Sequence, residues 1–318
     1  MSEVKSLENA IRDAERNYSV GRILDAASDF KTISIVFGGM KDYASAAEFA
    51  VRSGDCWVKC GNHLQAAILY ENAAQYFELL GEEEKYRLYY RKALVQCLSA
   101  DRRETRMGKV ARARNLRRAA FCQSKIGGGV DVAQYYSRAG ELFSLAAREE
   151  EGKNAFDDAY NLFKSAAECY LQIKDYSLVV RSLMDALTCL NRVVDNYFSS
   201  YEGEELSEIV KRELKEFNAA AEALLKSLEL VDKLDRRVLE RLVQLLVAWL
   251  RRCVMLGGEV EVNTRLLEEV GRVIREKAGS EGVLKILEEL VSNCNFENIQ
   301  VRGEFLRAIE LLRSCFLK

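Results

Sequence analysis

The sequence predicts an all-α protein, a solenoid of antiparallel helical hairpins that ends in a C-terminal helical bundle. Proline is absent from the 318 residues, so helices can run without interruption. Small residues, aromatics and turn glycines recur at fixed spacing from Ala46 to Leu94. Strands are not expected, because period-two alternation of β-branched residues is missing. One hairpin cannot bury its apolar faces alone, so neighbours must repeat the pattern.

The repeat is clearest in two consecutive units. Offsets of three, four, five, four and three residues separate its positions, which in the first unit are Gly54, Trp57, Gly61, Ala66, Tyr70 and Ala73. The same offsets recur from Ala74 to Ala93. Offsets of three and four put residues on one face of a helix. The central glycine takes the left-handed C-cap without steric cost, so it predicts the point where one helix ends and the next reverses.

The remaining elements follow in chain order. The first helix covers residues 6–18, the second runs from about Val20 to a glycine turn at Gly38–Gly39, and the third begins near Asp42. Residues 101–125 form the first arm of a later hairpin whose turn is Gly127–Gly129. Residues 148–156 form a longer turn, whose extra residues make either a protruding loop or another helical turn or two. Residues 174–176 form another bend. The predicted C-terminal helices cover residues 205–230, 236–256, 263–277, 280–293 and 298–316.

A change in amino-acid composition predicts two domains. Residues 1–199 carry the aromatic repeat, whereas residues 200–318 follow a polar break and are rich in leucine and poor in aromatics. A terminal unit has to hide the open core of a solenoid. We therefore expect residues 200–318 to form a bundle that caps the solenoid of residues 1–199.

Composition limits the functional classes. The 47 basic and 49 acidic residues give a net charge of −2, which provides no global case for nucleic acid or an anionic membrane. Nine cysteines, an odd number among apolar helix positions, are typical of buried thiols in a reducing compartment, so we expect a cytoplasmic protein. No stretch approaches the ~18 uncharged apolar residues of a membrane span. The apolar stretch from Leu242 to Leu250 predicts a buried helix.

Catalytic and metal-binding patterns are weak. His63 is the only histidine and follows the turn at Gly61, a surface or helix-start position that favours a structural role. Cys56, Cys60 and His63 have the spacing of three zinc ligands on a helix. Both cysteines, however, fill positions where the repeat needs a small apolar residue. We therefore predict no catalytic, cofactor or metal site and a protein that is not an enzyme.

A basic segment is the strongest candidate for a binding site. Between Asp101 and Lys125 only two acidic residues oppose its cations, of which the candidate site residues are Arg102, Arg103, Arg106, Lys109, Arg112, Arg114, Arg117 and Arg118. On a single helix these charges would share about half of the cylinder. Three interpretations stay open: a solvated face balanced by acids of neighbouring helices, a surface for an acidic protein, and a surface for RNA or DNA phosphates. The last is the least favoured.

The repeat spacing resembles that of the tetratricopeptide repeat, which implies a right-handed α-solenoid. Units spaced at irregular intervals and the absence of the closing proline make it a divergent example. The string from Cys56 to Gly81 is similar to the early hairpins of the soluble NSF attachment proteins. That resemblance implies a membrane contact at Phe37, followed by Gly38 and Gly39, and a basic concave face that binds an acidic helical bundle. It also implies that the penultimate residue, Leu317, engages an ATPase, although the tail here is basic and not acidic.

These observations predict a non-enzymatic scaffold or adaptor that binds an extended or helical segment of another protein in a curved groove. One alternative is an adaptor, similar to the soluble NSF attachment proteins, that links a helical complex or a membrane to an ATPase. A second is a nucleic-acid-associated regulator that uses the arginine-rich helix. The sequence predicts neither the oligomeric state nor the identity of the partner.

Overall fold

The computed structural model describes residues 2–103, 108–231, 235–255, 264–278, 306–310 and 312–314, together with residues 285 and 303. These residues form α-helices joined by short turns, and none of them lies in a strand. The prediction of an all-α solenoid built from consecutive helical hairpins is confirmed. The chain divides into two compact units, Met1–Leu142 and Phe143–Lys318.

The first unit is a run of antiparallel helices in which each packs on the next from α1 to α6. Its helices are α1 (Ser2–Ser19), α2 (Ile23–Gly39), α3 (Tyr43–Lys59), α4 (His63–Leu79), α5 (Glu83–Arg103), α6 (Lys109–Lys125) and the first part of α7 (Val130–Gly152). Helices α2 to α5 begin at residues 23, 43, 63 and 83, so the period is 20 residues. The repeating element is therefore one helix and its turn.

A single type of turn produces this period. At the end of α3, Gly61 has a φ of +73° and its N–H donates to the Val58 carbonyl at 3.0 Å. The N–H of Asn62 donates to the Trp57 carbonyl at 3.0 Å, which completes a Schellman motif. The side chain of Asn62 then accepts from the N–H of Gln65 at 3.0 Å and caps α4. The same positive φ recurs at Gly21, Lys41, Gly81, Gly127, Asn154 and Lys174.

Small residues hold neighbouring helices close together. The repeat alanines Ala66 and Ala73 are fully buried, and a Cβ built on Gly54 would lie only 2.9 Å from the Tyr70 ring. Tyr70 itself is buried, and the partly buried Trp57 packs against three separate core clusters. The predicted alternation of small and bulky residues therefore matches the packing of α3 against α4.

Buried hydroxyls add two hydrogen bonds between α2 and α3 that the sequence did not indicate. The Ser34 hydroxyl donates to the Ala46 carbonyl at 2.7 Å, and the Ser53 hydroxyl donates to the Ala27 carbonyl at 2.6 Å. One bond runs from α2 to α3 and the other runs in the opposite direction. Both serines are buried, so these bonds satisfy polar groups that would otherwise be costly inside the core.

The second unit contains helices of more varied length, from 15 residues in α12 to 27 in α10. They are the rest of α7, α8 (Phe156–Gln172), α9 (Tyr176–Ser200), α10 (Gly203–Glu229), α11 (Arg236–Met255) and α12 (Thr264–Ala278). Helix α9 packs on α8, α10 and α11, and Phe217 of α10 stacks on Trp249 of α11 with centroids 4.2 Å apart. Of the two alternatives for the extra residues at 148–156, a protruding loop or further helical turns, the structure has the second, because α7 extends as far as Gly152.

The predicted domain boundary lies inside this second unit, between α9 and α10. Whether residues 200–318 behave as a separate bundle stays a prediction. The apolar stretch of α11 is buried, as expected, with Leu242 and Leu250 almost inaccessible to solvent. Among the described residues, no helix has the length and apolar character that crossing a membrane requires.

The shared turn predicts opposite effects for two substitutions. Gly61→Lys should destabilise the fold by about 1–2 kcal/mol, because an L side chain at positive φ approaches the following carbonyl. Lys41 occupies the equivalent position with a φ of 62°, so Lys41→Gly should stabilise it by about 0.5–1 kcal/mol after the entropic cost of glycine. Urea unfolding of the two variants measures both changes. Shifts of the same sign would contradict this account of the turn.

Candidate functional site

The basic segment lies on two helices and not on one. Helix α5 ends at Arg103, and α6 begins at Lys109 after Gly108, whose φ of −61° and ψ of 155° are extended. An extended residue cannot belong to a continuous helix, so the prediction of one helix through residues 101–125 is wrong. Arg102 and Arg103 end α5, whereas the cations from Lys109 to Arg118 share α6. Arg106 and Leu317 lie outside the described residues, as do the side chains of Arg102 and Arg103.

Several cations of α6 pair with carboxylates of neighbouring helices. The Arg112 Nε lies 2.6 Å from Oδ1 of Asp101 on α5. The Arg118 Nε lies 2.5 Å from Oε2 of Glu71 on α4. Lys125 lies 2.6 Å from Oε1 of Glu78, also on α4. These three pairs agree with the first of the three interpretations, in which acids of neighbouring helices balance the basic segment.

The pair between Glu71 and Arg118 is the most protected of the three. The Glu71 side chain is 16% exposed and that of Arg118 is 25% exposed. Burial raises the pKa of the Glu71 carboxyl, and the nearby charges of Arg118 and Arg117 oppose that rise. The arginine partner thus favours the ionised form of a carboxyl that burial disfavours. This interaction links α4 directly to α6, which are separated in the chain by α5.

The other basic candidates differ in exposure. Lys109 and Arg114 are exposed on α6, and Arg117 is half-buried near Glu71. A role of these residues in binding a partner stays a prediction. Among the described residues, the solvent-exposed part of the segment is therefore smaller than the sequence suggested, and it lies near the start of α6.

Phe37 points into the helical packing. Its ring stacks on Phe49 with centroids 5.6 Å apart and an interplanar angle of 1°, and it lies against the core cluster of α2 and α3. Its neighbours Val36 and Met40 are the exposed apolar residues of this turn, at 42% and 60%. A membrane contact through Phe37 stays a prediction, and it would require the ring to leave Phe49.

His63 and its neighbouring cysteines occupy structural positions. His63 is the first residue of α4, is buried, and its Nδ1 lies 2.8 Å from Oε1 of Gln96. His63 is therefore more buried than the surface position predicted from the sequence. Cys56 is buried in the core, which raises the pKa of its thiol, whereas Cys60 is exposed at the end of α3. The described residues contain no group of three or more His, Cys, Asp or Glu side chains arranged to hold a metal ion.

An apolar groove in the second unit was not predicted from the sequence. Helix α9 forms its floor and helices α8 and α10 form its two walls, and its volume is about 400 Å³. We call it the α8–α10 groove. The floor consists of Tyr176, Val179 and Leu183, which lie on one face of α9 at offsets of three and four residues.

The walls combine alanines, two exposed leucines and a charged rim. Leu171 of α8 is 48% exposed and Leu230 after α10 is 56% exposed, so both offer apolar surface to solvent. Ala219 and Ala223 are exposed on α10 and keep that wall low. The rim carries two charges from each wall, which are Lys164 and Glu168 on α8 and Glu222 and Lys226 on α10.

The groove was not evident in the sequence because its alanines lie beside the main apolar stripe of α10. Ala221 and Leu224 belong to that stripe and are buried as expected. Ala219 and Ala223 lie four residues apart on an adjacent face, where alanine gives no contrast between a core position and a solvent position. In the sequence, the only sign of the groove was this pair of alanines next to an apolar stripe that was already complete.

Comparisons with known proteins found structural likeness only. No protein-family model matches the chain, and no curated protein matches it. Among solved structures, BtubC (BKLC) from P. vanneervenii is 11% identical, with 81% of this chain and 94% of that chain covered and a TM-score of 0.34. A tetratricopeptide repeat protein from Parabacteroides merdae ATCC 43184 is 14% identical, with 96% and 99% covered and a TM-score of 0.25. The TPR domain of P58(IPK) is 15% identical, with 97% and 99% covered and a TM-score of 0.17.

The resemblance to the tetratricopeptide repeat is one of fold, since the described helices form consecutive antiparallel hairpins. The chain's helical hairpins, its spacing of small and aromatic residues and its left-handed turn residues carry that resemblance. The closer resemblance to the soluble NSF attachment proteins stays a prediction.

Removing the arginine of the protected ion pair should destabilise the first unit in a pH-dependent way. Arg118→Met leaves the Glu71 carboxylate poorly solvated, so we expect a loss of about 2 kcal/mol at pH 7, less than the ~3–5 kcal/mol of a fully buried pair. The pKa of Glu71, already raised by burial, should rise further without Arg118. The folded variant therefore binds a proton more readily than the unfolded chain, and its deficit should shrink as the pH falls from 7 through the raised pKa of Glu71, with no further recovery below the ordinary glutamate value of 4.5.

Urea unfolding at pH 4 and pH 7 measures this dependence. The matched control is Arg114→Met, which removes an exposed arginine from the same helix and should change stability by less than about 0.5 kcal/mol. Equal losses for the two variants, or a deficit that does not depend on pH, would contradict the role assigned to the pair.

Proposed function

We propose that this chain is a non-enzymatic scaffold that binds an apolar segment of another protein in the α8–α10 groove. One observation carries the proposal, namely an open apolar groove between three packed helices with leucines exposed at its mouth. A helix-lined groove is a common way to receive the apolar face of a protein segment.

The energetics of the groove favour such binding. Full burial of a leucine side chain contributes ~1.5–3 kcal/mol, and Leu171 and Leu230 are each about half exposed before binding. Covering both should therefore contribute about 1 kcal/mol each. The low wall at Ala219 and Ala223 lets a partner backbone approach closely. Because the groove is formed by helices that are already folded, little ordering entropy is lost on its side.

The cysteines are consistent with a cytoplasmic location for this scaffold. The described free cysteines include five buried ones, namely Cys56, Cys97, Cys122, Cys169 and Cys189. Burial raises the pKa of the thiols of Cys56, Cys97, Cys122 and Cys189. Buried, protonated thiols behave as small apolar residues and suit a reducing compartment.

Binding of an apolar segment can be tested with a variant that fills the groove. Peptides are selected from a display library on the whole protein, and their affinities are then measured by fluorescence anisotropy. Ala223→Trp places an indole in the groove, so the selected peptides should bind at least about tenfold more weakly, a change of ~1.4 kcal/mol.

The matched control is Ala133→Trp, which changes an exposed alanine of α7 that does not line the groove. This variant should bind the peptides within about twofold of the original protein, well inside a tenfold loss of ~1.4 kcal/mol. Failure to select any peptide, or peptides that bind both variants equally, would refute the groove as the binding site.

A second candidate function is the binding of an acidic helical segment at the start of α6. The exposure of Lys109 and Arg114 on one short stretch favours it. Lys109→Glu with Arg114→Glu should abolish binding of an acidic helical peptide, and binding by the original protein should weaken as salt rises. The control, Arg12→Glu with Arg16→Glu, makes the same charge change on exposed residues of α1. Equal effects of both pairs would indicate only a response to net charge.

The two other functions considered from the sequence also stay predictions. They are an adaptor that joins a helical complex or a membrane to an ATPase, and a nucleic-acid-associated regulator. The carboxylate partners of Arg112 and Arg118 reduce the positive charge available to either role.

A further inference from the structure

Helix α2 exposes an uncharged side to solvent. Its exposed residues from the middle of the helix to its C-cap carry no charge, and they are Ser28, Thr32, Ile35, Val36, Gly39 and Met40. Ile35 is 57% exposed and Met40 is 60% exposed. The Thr32 hydroxyl donates to the Ser28 carbonyl at 3.1 Å, so its hydrogen bond is made within the helix. The outward face of a surface helix usually carries charged and polar residues, whereas this side of α2 offers mainly apolar groups.

Helix α4 continues the same surface. Helices α2 and α4 begin at residues 23 and 63, so equivalent residues are 40 positions apart. The α4 equivalents of the residues above are also uncharged, and they are Ile68, Asn72, Gln75, Tyr76, Leu79 and Leu80. Leu79 is 64% exposed and Leu80 is 39% exposed. The two helices therefore lack charge at the same positions of their outward faces.

The two helices lie side by side. Helix α3 packs against both α2 and α4, so α2 and α4 run in the same direction. A Cβ built on Gly38 would collide with the Tyr76 hydroxyl, which places the C-terminal end of α2 directly against α4. The Tyr76 ring also stacks on Tyr43 of α3, with centroids 6.1 Å apart. We call the continuous uncharged surface formed by the residues of the two preceding lists the α2–α4 face.

Charged residues border the α2–α4 face. Lys31 is partly buried two helical turns before Gly38, on the side of α2 that faces α4, and its long stem lets the ammonium reach the border. Lys41 follows α2 in the turn. Glu78 lies at the opposite border, where it pairs with Lys125 of α6 at 2.6 Å. An apolar centre inside a polar border is the usual anatomy of a protein–protein interface.

The dimensions of the face correspond to the centre of a weak interface. The helix from Ser28 to Met40 rises by ~20 Å, and two helices with their side chains are ~20 Å wide, so the face covers ~400 Å². A patch of that size on a protein surface is often functional. Specific interfaces bury about 800 Å² per partner. The face therefore supplies about half of that area, and the charged border supplies the remainder in a complex of standard size.

The two halves of the face differ in shape at one pair of equivalent positions. In α2 the position is Gly39, and a Cβ built there would meet nothing within 4 Å. In α4 the position is Leu79, whose side chain is 64% exposed. Since α2 and α4 are parallel, these equivalent residues lie at the same level along the helices. The face thus has a gap of side-chain size on one helix and a projecting side chain on the other.

We infer that the α2–α4 face is covered by a second copy of this chain, in a two-fold dimer in which Leu79 of each copy enters the gap at Gly39 of the other. A two-fold axis parallel to the helices and midway between them places α2 of one copy on α4 of the other at the same level. Both contacts then form together, as an interface between identical surfaces requires. This inference goes beyond the proposed function and does not depend on the α8–α10 groove.

A second copy suits this surface better than other partners do. In a two-fold contact each charge near the axis meets its own kind, which is unfavourable, and the uncharged centre of the face avoids this. A charged peptide gains no ion pair from that centre. A single helix, with a diameter of ~10 Å, covers only half of a face that is ~20 Å wide. The competing occupants are a neutral lipid surface and an uncharged segment of another protein, and the experiment separates them.

Sedimentation equilibrium of the whole protein tests the inference. We expect reversible dimers between ~1 μM and ~1 mM, the range of weak dissociation constants. Leu79→Glu buries a carboxylate at both symmetric contacts, so the dissociation constant should rise at least ~100-fold. The matched control is Leu88→Glu, which makes the same charge change at a 46% exposed leucine of α5 and should keep the dissociation constant within about twofold.

A size-exchanged variant tests the contact itself. Gly39→Leu fills the gap and Leu79→Ala removes the projection, so each alone should weaken the dimer about tenfold. Together they exchange the gap and the projection, and the dissociation constant should return to within about threefold of the original. Gly39 lies in helical backbone at the end of α2, so leucine is accommodated there without strain. Circular dichroism confirms that each variant is folded.

Each other outcome counts against the inference. A protein that stays monomeric across this range, or a dimer that survives Leu79→Glu, would overturn it. A size-exchanged variant that remains as weak as the single variants would overturn the two-fold packing. If the monomer instead binds phosphatidylcholine vesicles or a display-selected peptide in a Leu79-dependent way, a lipid surface or another protein occupies the face. Ala223→Trp should leave dimerisation unchanged, so failure here is distinct from failure of the proposed function.

Discussion

A left-handed residue in most of the described interhelical turns is the constraint on which the rest of this structure depends. It ends one helix, reverses the chain within three residues and leaves the next residue positioned to cap the following helix, as at Gly61 and Asn62. Helices α2, α3 and α4 all have 17 residues, and with a turn of three residues this constant length gives the 20-residue period. One residue more in any of them would rotate its packing face by about 100° relative to the turn. The alignment of small and aromatic residues follows from this geometry.

Much of the fold could be predicted because glycine marks many of these turns. The turns at Gly61 and Gly81 were assigned correctly from their place in the repeat. The turn after α2 was assigned to Gly38 and Gly39, whereas the left-handed residue is Lys41. Gly38 has a different role, since a Cβ there would meet the Tyr76 hydroxyl at 2.4 Å. Glycine for close approach and glycine for a turn look identical in a sequence.

The candidate sites were harder to predict, for two physical reasons. The local excess of basic residues identified the cations of α6 in the sequence. It did not identify their partners, because Glu71 and Glu78 are 47 positions away from the cations they contact. The α8–α10 groove depends on which alanines remain uncovered after three helices have packed. Ala219 and Ala221 differ by two residues, yet one faces solvent and the other faces the core. That distinction arises from tertiary packing and is not encoded in residue type.

The 20-residue period of the first unit also bears on how such a chain can lengthen. Since the repeating element is one helix, successive copies alternate in direction, and odd and even turns lie at opposite ends of the helices. Duplication of a single copy would reverse every helix downstream and carry its surface residues to the other end. Duplication of 40 residues preserves all of these positions. Gene duplications that retain a working surface are therefore expected in even numbers of helices.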